Sequence, residues 1–347
     1  MKINLIKESY VNISGNIYDP DFINLANINK EKINFDDNTL FLSSNMKKKL
    51  NSQKLEKNDN TIFLFRYDDS YGLIADLDIS EYNNENIKCH ELVLPDTIQG
   101  MIANFHTYNS ETAPVFIVHE ENIGIEEIIK KREYSKVYDF GNLILYKYDE
   151  DNAKNILNLY QSIEKMYVAD GHHRLYTTSM LKNKKSMLSC FMSFSDVKIL
   201  PIHRIIKGID ASSFEKARSF MNNLLSINYD ENISKGFVRV TYQQDSFLVK
   251  LKEVEEDLFW NNDVYRLNTQ IISTAFRILN FSNVEYVLDN FLEVRKKELT
   301  NTDVLLEVDA LSFDEFTELS KNNCILPPKS TCFMPKFPSF LIFKKYK

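Results

Sequence analysis

Strand-like and helix-like runs alternate along the chain, and at least one β-hairpin lies among them. The segment TIFLFRYDDSYGLIADLDIS (61–80) has two apolar runs separated by DDSYG, the pattern of a hairpin. Four further segments have strand patterns: 113–120, 142–149, 187–195 and 237–254. Four segments have helical patterns: 123–138, 151–165, 212–226 and 267–281. Because hairpins are mixed with helices, the sequence predicts an α+β fold rather than a doubly wound parallel sheet.

The chain is long enough for one large or two ordinary domains, since 347 residues of which 44% are apolar can bury a sizeable core. A change of domain is predicted near KGIDASSFEK (207–216). The expected division is a catalytic core with an N-terminal extension at 1–207 and a C-terminal α/β region at 208–347. The polar stretch at 43–60 predicts a helix followed by a surface loop.

Charge and apolar patterning limit the partners that we expect. Asp and Glu number 49 against 42 Lys and Arg, a net charge of −7, which argues against a nucleic-acid partner. No run approaches the roughly 20 apolar residues of a membrane-spanning helix, and the N-terminus lacks the apolar core of a secretory signal. We therefore expect no membrane partner and a cytoplasmic location. The four scattered cysteines form no C-x-x-C pair and are expected to be reduced.

The segment VADGHHRLYT combines charge, rings and a glycine at a predicted strand-to-helix turn. Gly171 permits a sharp turn, and Arg174 supplies a planar fork suited to phosphate oxygens. His172 and His173 lie at the helix start, where backbone N–H groups bind anions. The combination indicates a phosphate site. Two alternatives stay open: Asp170 as a simple helix cap, and the two histidines as zinc ligands, although adjacent helical histidines point about 100° apart.

In the segment KCHELVLP, Glu91 stands beside His90 and precedes an apolar run. A carboxylate in a partly apolar setting can have its pKa raised toward neutrality and serve as a general base. The alternative is an ordinary exposed glutamate. His203 and Arg204, in LPIHRIIKG, form a further polar pair that suits either a functional site or a strand edge.

The segment LPPKSTCFMP holds a cation and two hydroxyls on a proline-stiffened loop: Lys329, Ser330 and Thr331. Such a loop can bind a carboxylate or a phosphate, and it can equally be a polar turn. The sequence has no G-x-x-x-x-G-K-[ST] or G-x-G-x-x-G loop, no G-x-S-x-G elbow and no H-E-x-x-H helix. Any phosphate site must therefore use another kind of cradle.

Taken together, CHEL, VADGHHR and PPKSTCFMP resemble the free serine kinase family, whose catalytic domain is related to the ParB and sulfiredoxin-like fold. ILPIHRIIKG and the closing FPSFLIF resemble the long-chain branch of that family. The resemblance implies a ParB/sulfiredoxin-like catalytic core with additional α/β elements. It also implies transfer of a phosphoryl group to free L-serine, giving O-phospho-L-serine.

The resemblance further implies roles for individual residues. Glu91 would be the catalytic base, and Asp170 would support Mg²⁺ or the reacting hydroxyl. The phosphate donor would contact four residues: Gly171, His172, His173 and Arg174. The amino-acid substrate would contact another four: His90, Lys329, Ser330 and Thr331.

Relatives in this family use ATP, ADP or pyrophosphate. Because the chain has no nucleotide-specific motif, pyrophosphate is the favoured donor, and ATP or ADP is the alternative donor. The alternative function is a non-catalytic nucleotide-binding ParB-like switch. The chain departs from the family at three places: the proline-rich N-terminal segment is replaced by NIYDPDF, Leu92 and Val93 follow the His-Glu pair, and Phe333 stands where shorter kinases have a histidine. These departures bear on contacts to the donor and on substrate preference.

Overall fold

A computed structural model of the protein describes residues 1–20, 22–23, 25–29, 31–229, 232–254 and 258–345. The strands are β1 Ile3–Asn4, β2 Ile6–Asn12, β3 Leu25–Asn29, β4 Lys32–Asn34, β5 Leu55–Tyr67, β6 Ser70–Asp78, β7 Ile87–Lys88, β8 Ser110–Glu111, β9 Val115–His119, β10 Lys136–Asp139, β11 Leu143–Asp149, β12 Met166–Asp170, β13 Ser186–Ser193, β14 Lys198–Leu200, β15 Ile202–Ile206, β16 Ser226–Asn228, β17 Phe237–Tyr242, β18 Asp245–Lys250, β19 Val284–Leu288, β20 Val304–Val308, β21 Cys332–Met334 and β22 Ile342–Lys345.

The α-helices are α1 Ser44–Asn51, α2 Ile79–Asn83, α3 Pro95–Thr107, α4 Ile125–Lys131, α5 Glu150–Leu157, α6 His172–Ser179, α7 Ala211–Leu224, α8 Asp263–Arg266, α9 Leu292–Lys296 and α10 Phe313–Lys321. Four 3₁₀ turns and one π-helix complete the described part: Asn158–Tyr160, Phe194–Asp196, Phe281–Asn283, Asp289–Phe291 and the π-helix Leu267–Ala275. The α+β class predicted from the sequence is confirmed.

The chain forms two compact units. The first unit comprises 1–89, 93–198 and 335–347, and the second comprises 90–92 and 199–334. The predicted ranges of 1–207 for a catalytic core and 208–347 for a C-terminal region stay a prediction.

The first unit is built on one large mixed sheet whose central path runs β4-β3-β8-β22-β2-β5-β6-β13-β9-β12-β7. The hairpin of β5 and β6 lies in its middle, with Phe63 opposite Ile74. β22, near the end of the chain, is inserted between β2 and β8, so residues distant in sequence complete the sheet. β12 lies antiparallel to β9 and parallel to β7.

Two apolar clusters stabilise the first unit. In the larger one, helices α4 and α5 place Ile128, Ala153 and Ile156 among sheet residues such as Leu64 and Leu73, all at or below 8% exposure. Burial of this apolar area is the main favourable term in folding. A smaller cluster joins the N-terminal strands to the end of the chain through five residues: Tyr10, Ile23, Phe35, Phe340 and Phe343.

The second unit has a six-stranded antiparallel sheet in the order β16-β18-β17-β20-β15-β19. Asp210 caps α7 by accepting the backbone N–H of Ser213 at 2.7 Å, and the helix packs Phe214 and Met221 into the core. The π-helix adds Ile271 to the same cluster. Both helices therefore contribute to one buried core with the sheet.

Several local predictions are confirmed and two are wrong. The hairpin over 61–80 and the strand patterns all form strands, with Asp68 at a φ of 51° in the turn. The predicted loop at 55–60 is instead the first half of β5, because its polar residues alternate on a strand paired with β2. The helix predicted over 123–138 ends at Lys131, and 136–139 pairs with β11. Within the described residues, no helix is both long and apolar enough to cross a membrane.

Candidate active site

The turn after β12 lies in the first unit, and its backbone is shaped by two irregularities. A shift of register between Val168 and Asp170, opposite Phe116, marks a bulge at the end of the strand, a feature that often re-aims side chains beside functional sites. Gly171 follows with a φ of 91° and caps α6. An added Cβ at Gly171 would lie 2.9 Å from Nη2 of Arg174, so the turn needs glycine for both conformation and space.

Asp170 forms ion pairs with two cationic side chains, Arg174 of the same turn and Lys336 from near the end of the chain. Its Oδ1 accepts from Nζ of Lys336 at 2.7 Å, and its Oδ2 accepts from Nη2 of Arg174 at 3.2 Å. Arg174 also donates to the carbonyl of Pro114 at 3.3 Å. Burial alone would raise the pKa of Asp170, but the charges of Arg174 and Lys336 outweigh it and lower that pKa below its usual value. Asp170 is therefore ionised at neutral pH.

The two histidines of the turn differ in environment. His172 is 4% exposed, and burial lowers its pKa to about 4, so its ring is neutral at pH 7. His173 uses Nε2 to accept the backbone N–H of Leu94 at 3.0 Å, which fixes the residue before α3. Neither histidine carries the arrangement of a zinc site, since no group of three metal-ligating side chains lies close together in the described part of the chain.

The residues around Asp170 do not fit the magnesium site expected there. Both carboxylate oxygens already accept from cationic groups, Lys336 and Arg174. Mg²⁺ prefers an octahedral shell of oxygens, and two neighbouring cations oppose the approach of a third. A metal ion at Asp170 would need further oxygen ligands, and the described residues place no group of three metal-ligating side chains together.

Lys336 is the residue of this cluster that sequence reasoning missed. It lines, with Asp170 and Arg174, a cavity of about 10 Å³, room for a single water molecule, whose walls are otherwise mostly apolar. Pro20, from the divergent NIYDPDF segment, forms part of the same wall. The dipeptide Pro-Lys occurs twice in PPKSTCFMPKFP, at Lys329 and at Lys336, so no local signal singled out the second lysine.

The other predicted residues lie in the second unit. His90 is 2% exposed, and its Nε2 lies 3.0 Å from Oγ1 of Thr331. Its ring contacts Phe316 edge-on at 4.9 Å between centroids. Glu91 forms a parallel β-bridge with Leu326, whose N–H donates to the carbonyl of His90 at 2.7 Å. The structure therefore brings the CHEL segment and the PPKST loop together.

The PPKST loop is held by hydrogen bonds to its backbone. Ser330 is 8% exposed, and its hydroxyl donates to the carbonyl of Pro327 at 2.6 Å. Lys329 has a φ of 60°, and its carbonyl accepts from Nη2 of Arg204 at 2.9 Å. Phe333 is fully buried and packs edge-on against Phe316 at 4.9 Å. Phe333, at the position where shorter kinases have a histidine, therefore packs in the apolar interior beneath the loop.

His203 and Arg204 are both buried on β15. His203 accepts the N–H of Val308 at Nδ1, and its Nε2 lies 3.1 Å from Asp289. Arg204 is 0% exposed, and its guanidinium donates to the carbonyls of Ile202 and Lys329. Burial lowers the pKa of Arg204 to about 10, so it stays charged at neutral pH. Among the described residues no carboxylate forms an ion pair with it.

Comparison with known proteins decides the family. The profile described as a protein of unknown function (DUF1015) matches residues 20–275, most of the chain. The chain belongs to the DUF1015 family. No curated protein matches this DUF1015 chain.

Solved structures similar to the DUF1015 protein include a mutant free serine kinase in complex with ADP, at 14% identity and a TM-score of 0.46, with 79% of this chain and 92% of that one covered. SbnI from Staphylococcus aureus, with a C-terminal truncation, is 12% identical with a TM-score of 0.46, and the match covers 77% of this chain and 85% of that one. A conserved hypothetical protein from Pyrococcus furiosus is 14% identical with a TM-score of 0.42, and the match covers 79% of this chain and 95% of that one. All three TM-scores lie below 0.5.

Proposed function

We propose that the protein transfers a phosphoryl group to the hydroxyl of free L-serine, giving O-phospho-L-serine, with pyrophosphate as the donor. One observation carries the proposal. The ordered segments CHEL, VADGHHR and PPKST resemble those of the free serine kinases, and the middle segment holds Asp170 between Arg174 and Lys336. Cations clustered at a helix start suit a phosphorylated donor.

In the proposed step, the serine Oγ attacks a phosphorus atom of pyrophosphate. A new P–O bond forms as the bridging P–O bond breaks, and orthophosphate leaves. The carboxylate of Glu91 takes the hydroxyl proton. Phosphoryl transfer needs positioning and charge stabilisation more than covalent help from the protein, so a base and a set of cations suffice in this scheme.

The proposal assigns the acceptor end to the second unit. The carboxylate of serine would meet the ammonium group of Lys329, whose loop is fixed by Arg204 and by the Ser330 hydroxyl. His90 and Thr331, 3.0 Å apart, would orient the substrate near Glu91. In this role Ser330 acts mainly through the shape of the loop, because its own proton is donated to Pro327.

The donor end is assigned to the DGHHR turn. Arg174 would contact phosphate oxygens together with the first backbone N–H groups of α6, and Gly171 would keep that approach open. His173 would hold the segment before α3 through Leu94, and the neutral ring of His172 would serve as a hydrogen-bonding neighbour without adding charge. Pyrophosphate needs no adenine pocket, which favours it over ATP and ADP.

The test compares the wild type with Glu91→Gln and the matched control Glu85→Gln, which alters a glutamate of the same region with a 78% exposed side chain. Each variant receives L-serine with pyrophosphate, ATP or ADP, and phosphoserine is measured by mass spectrometry. We expect Glu91→Gln to lower kcat by roughly 10²- to 10⁴-fold, the usual loss when a general base is removed. Glu85→Gln should match the wild type.

Three results would contradict the proposal in different ways. Full activity in Glu91→Gln would show that Glu91 is not the general base, and the proposed reaction would stand. Absence of phosphoserine from the wild type with all three donors, while ATP or ADP binds, would favour the nucleotide-binding switch instead. Faster turnover with ATP or ADP than with pyrophosphate would show that the proposed donor is wrong and that the acceptor is right.

A further inference from the structure

We propose that the first unit carries a second ligand site, and that this site takes a small organic anion, a carboxylate or phosphate ester with an apolar body. The site is a cavity of about 600 Å³ bounded by β1, the end of β6, α5 and β22. Small-molecule sites typically measure roughly 300 to 1,000 Å³. The residues that line the cavity all belong to the first unit, and none of them lines the small cavity at Asp170. The inference is therefore independent of the serine kinase proposal.

The two carboxylates in the lining of this cavity are each paired with a lysine. Both oxygens of Asp76 accept from Nζ of Lys344 at 2.7 Å. Asp78 lies 2.6 Å from Nζ of Lys2. Because a cation in contact with a carboxylate offsets its charge, neither aspartate opposes the entry of an anion.

Three further lysines line the cavity from three different elements: Lys7 of β2, Lys154 of α5, and Lys185 directly before β13. Within the part of the chain that the structure describes, no carboxylate forms an ion pair with Lys7 or Lys185. Lys154 lies 3.2 Å from Asp151, whose side chain is 90% exposed, and ion pairs that are so exposed are weak. Positive charge thus converges on one cavity of a chain whose net charge is −7, which favours an anionic ligand.

The inner wall of the cavity is a buried polar triad. Asp76 and Lys344 are 3% and 9% exposed. The hydroxyl of Ser186 donates to Asp76 at 3.0 Å and accepts from Lys344 at 2.8 Å. Apolar residues in place of a buried ion pair often stabilise a protein, so packing alone does not require charges here. The triad gives the cavity a fixed polar wall before any ligand arrives, and such preorganisation lowers the cost of binding.

The opposite character comes from apolar side chains that reach the cavity from the core. Ile3 and Leu157 belong to the larger apolar cluster of the first unit, and Leu5 packs against it. Ligand sites commonly combine such apolar surface with a few charged groups that orient the ligand. The mixture predicts an organic ligand, whose body covers the apolar side chains and whose anionic group faces the lysines, instead of an inorganic ion.

The experiment measures the binding of four probes to the whole chain by calorimetry, without L-serine and without pyrophosphate, ATP or ADP. Phthalate and phenyl phosphate carry a carboxylate pair and a phosphate ester on the same apolar ring. Benzamidine carries a cation on that ring, and orthophosphate is an anion without a ring. We expect at least one of the two aromatic anions to bind, more tightly than benzamidine and orthophosphate, and to bind less tightly as NaCl is added.

Variants of the lining locate the binding. Lys7→Gln with Lys185→Gln should weaken it at least about tenfold, the loss expected when hydrogen bonds to charged groups are removed. Lys54→Gln with Lys182→Gln is the matched control, because both lysines are exposed in the first unit, lie outside the lining and change the net charge equally. Asn158→Trp places a bulky ring at an exposed position of the lining without a change in charge, and it should also abolish binding.

Each outcome decides the proposal. Binding of phthalate alone or of phenyl phosphate alone, lost in the lining variants, supports the site and names the class of anion. No binding of either aromatic anion overturns it. Equal weakening in the two double variants, or benzamidine binding as tightly as the anions, also overturns it. Melting temperatures equal to that of the wild type show that the lysine variants remain folded. Phosphoserine formation is a separate measurement, so either proposal can fail while the other stands.

Discussion

The DGHHR turn of the first unit and the PPKST loop of the second are each held by several contacts, but the contacts are of different kinds. In the turn, Asp170 is fixed between two cations at 2.7 and 3.2 Å. In the loop, Ser330 donates to a backbone carbonyl, Thr331 meets His90, and Arg204 donates to the carbonyl of Lys329. Charge pairing organises the first site, and hydrogen bonds to backbone groups organise the second.

That difference separates two tasks that a phosphotransferase must perform. In the proposed function the turn faces the multiply charged donor, and its ion pairs respond to salt and pH. A loop fixed through its carbonyls keeps a shape without using its ammonium group, so Lys329 can present its charge to a small substrate. We therefore expect changes in the turn to affect the donor and changes in the loop to affect serine.

The largest effect in this comparison is predicted for Arg204→Met. Two carbonyls, of Ile202 and Lys329, would lose their buried donor. We expect a loss of about 3 kcal/mol in the free energy of unfolding, since each unsatisfied buried group costs roughly 1 to 3 kcal/mol. Urea denaturation measures this, and kinetics of the folded variant should show a raised KM for L-serine with KM for pyrophosphate unchanged. A raised KM for pyrophosphate alone would contradict the assignment of the PPKST loop to L-serine.

A smaller effect concerns pH and the first unit. The pKa of His172 is lowered to about 4 by burial, below the ordinary 6.5, so the unfolded chain binds the proton first as pH falls. The stability that this group contributes is present above about pH 6.5 and is lost toward pH 4. We expect His172→Asn to reduce the fall in stability between pH 7 and pH 5 by roughly 2 kcal/mol. Equal pH slopes in the variant and the wild type would show that the ring titrates normally.

The smallest predicted change in stability is that of Gly171→Ala. A residue with a Cβ at a φ of 91° costs roughly 1 to 2 kcal/mol, and the new methyl group would push Arg174 aside. Thermal melting should show the modest loss. Affinity for pyrophosphate should fall while KM for L-serine stays the same, and Gly208→Ala, at a φ of 75° with no atom within 4 Å of the added Cβ, controls for backbone strain alone. Matching affinities in the two variants would exclude the steric effect on Arg174.

Local signals in the sequence predicted the local parts of the site well. A buried run followed by a glycine and a helical pattern placed Asp170 and Gly171 at a strand-to-helix turn, and the structure has them there. The hairpin of β5 and β6 was equally readable, because apolar alternation and turn residues lie within twenty positions. Such features depend on neighbours along the chain.

Long-range pairing was beyond the sequence alone. Lys336 meets Asp170 across 166 positions, and nothing in its immediate surroundings distinguishes it from Lys329. The insertion of β22 between β2 and β8 also joins segments that are distant along the chain. The polar first half of β5 was missed because pairing with β2, instead of apolar alternation, makes it a strand.

The most direct test of the central claim uses L-serine labelled with ¹⁸O in its hydroxyl group. The protein is incubated with this serine and pyrophosphate, and the phosphoserine formed is examined by ³¹P NMR. Attack by the serine hydroxyl on phosphorus predicts that ¹⁸O stays in the bridging position and shifts the phosphorus signal, with one orthophosphate released per phosphoserine. Phosphoserine with an unlabelled bridge, or no phosphoserine from pyrophosphate, ATP or ADP, would contradict the account.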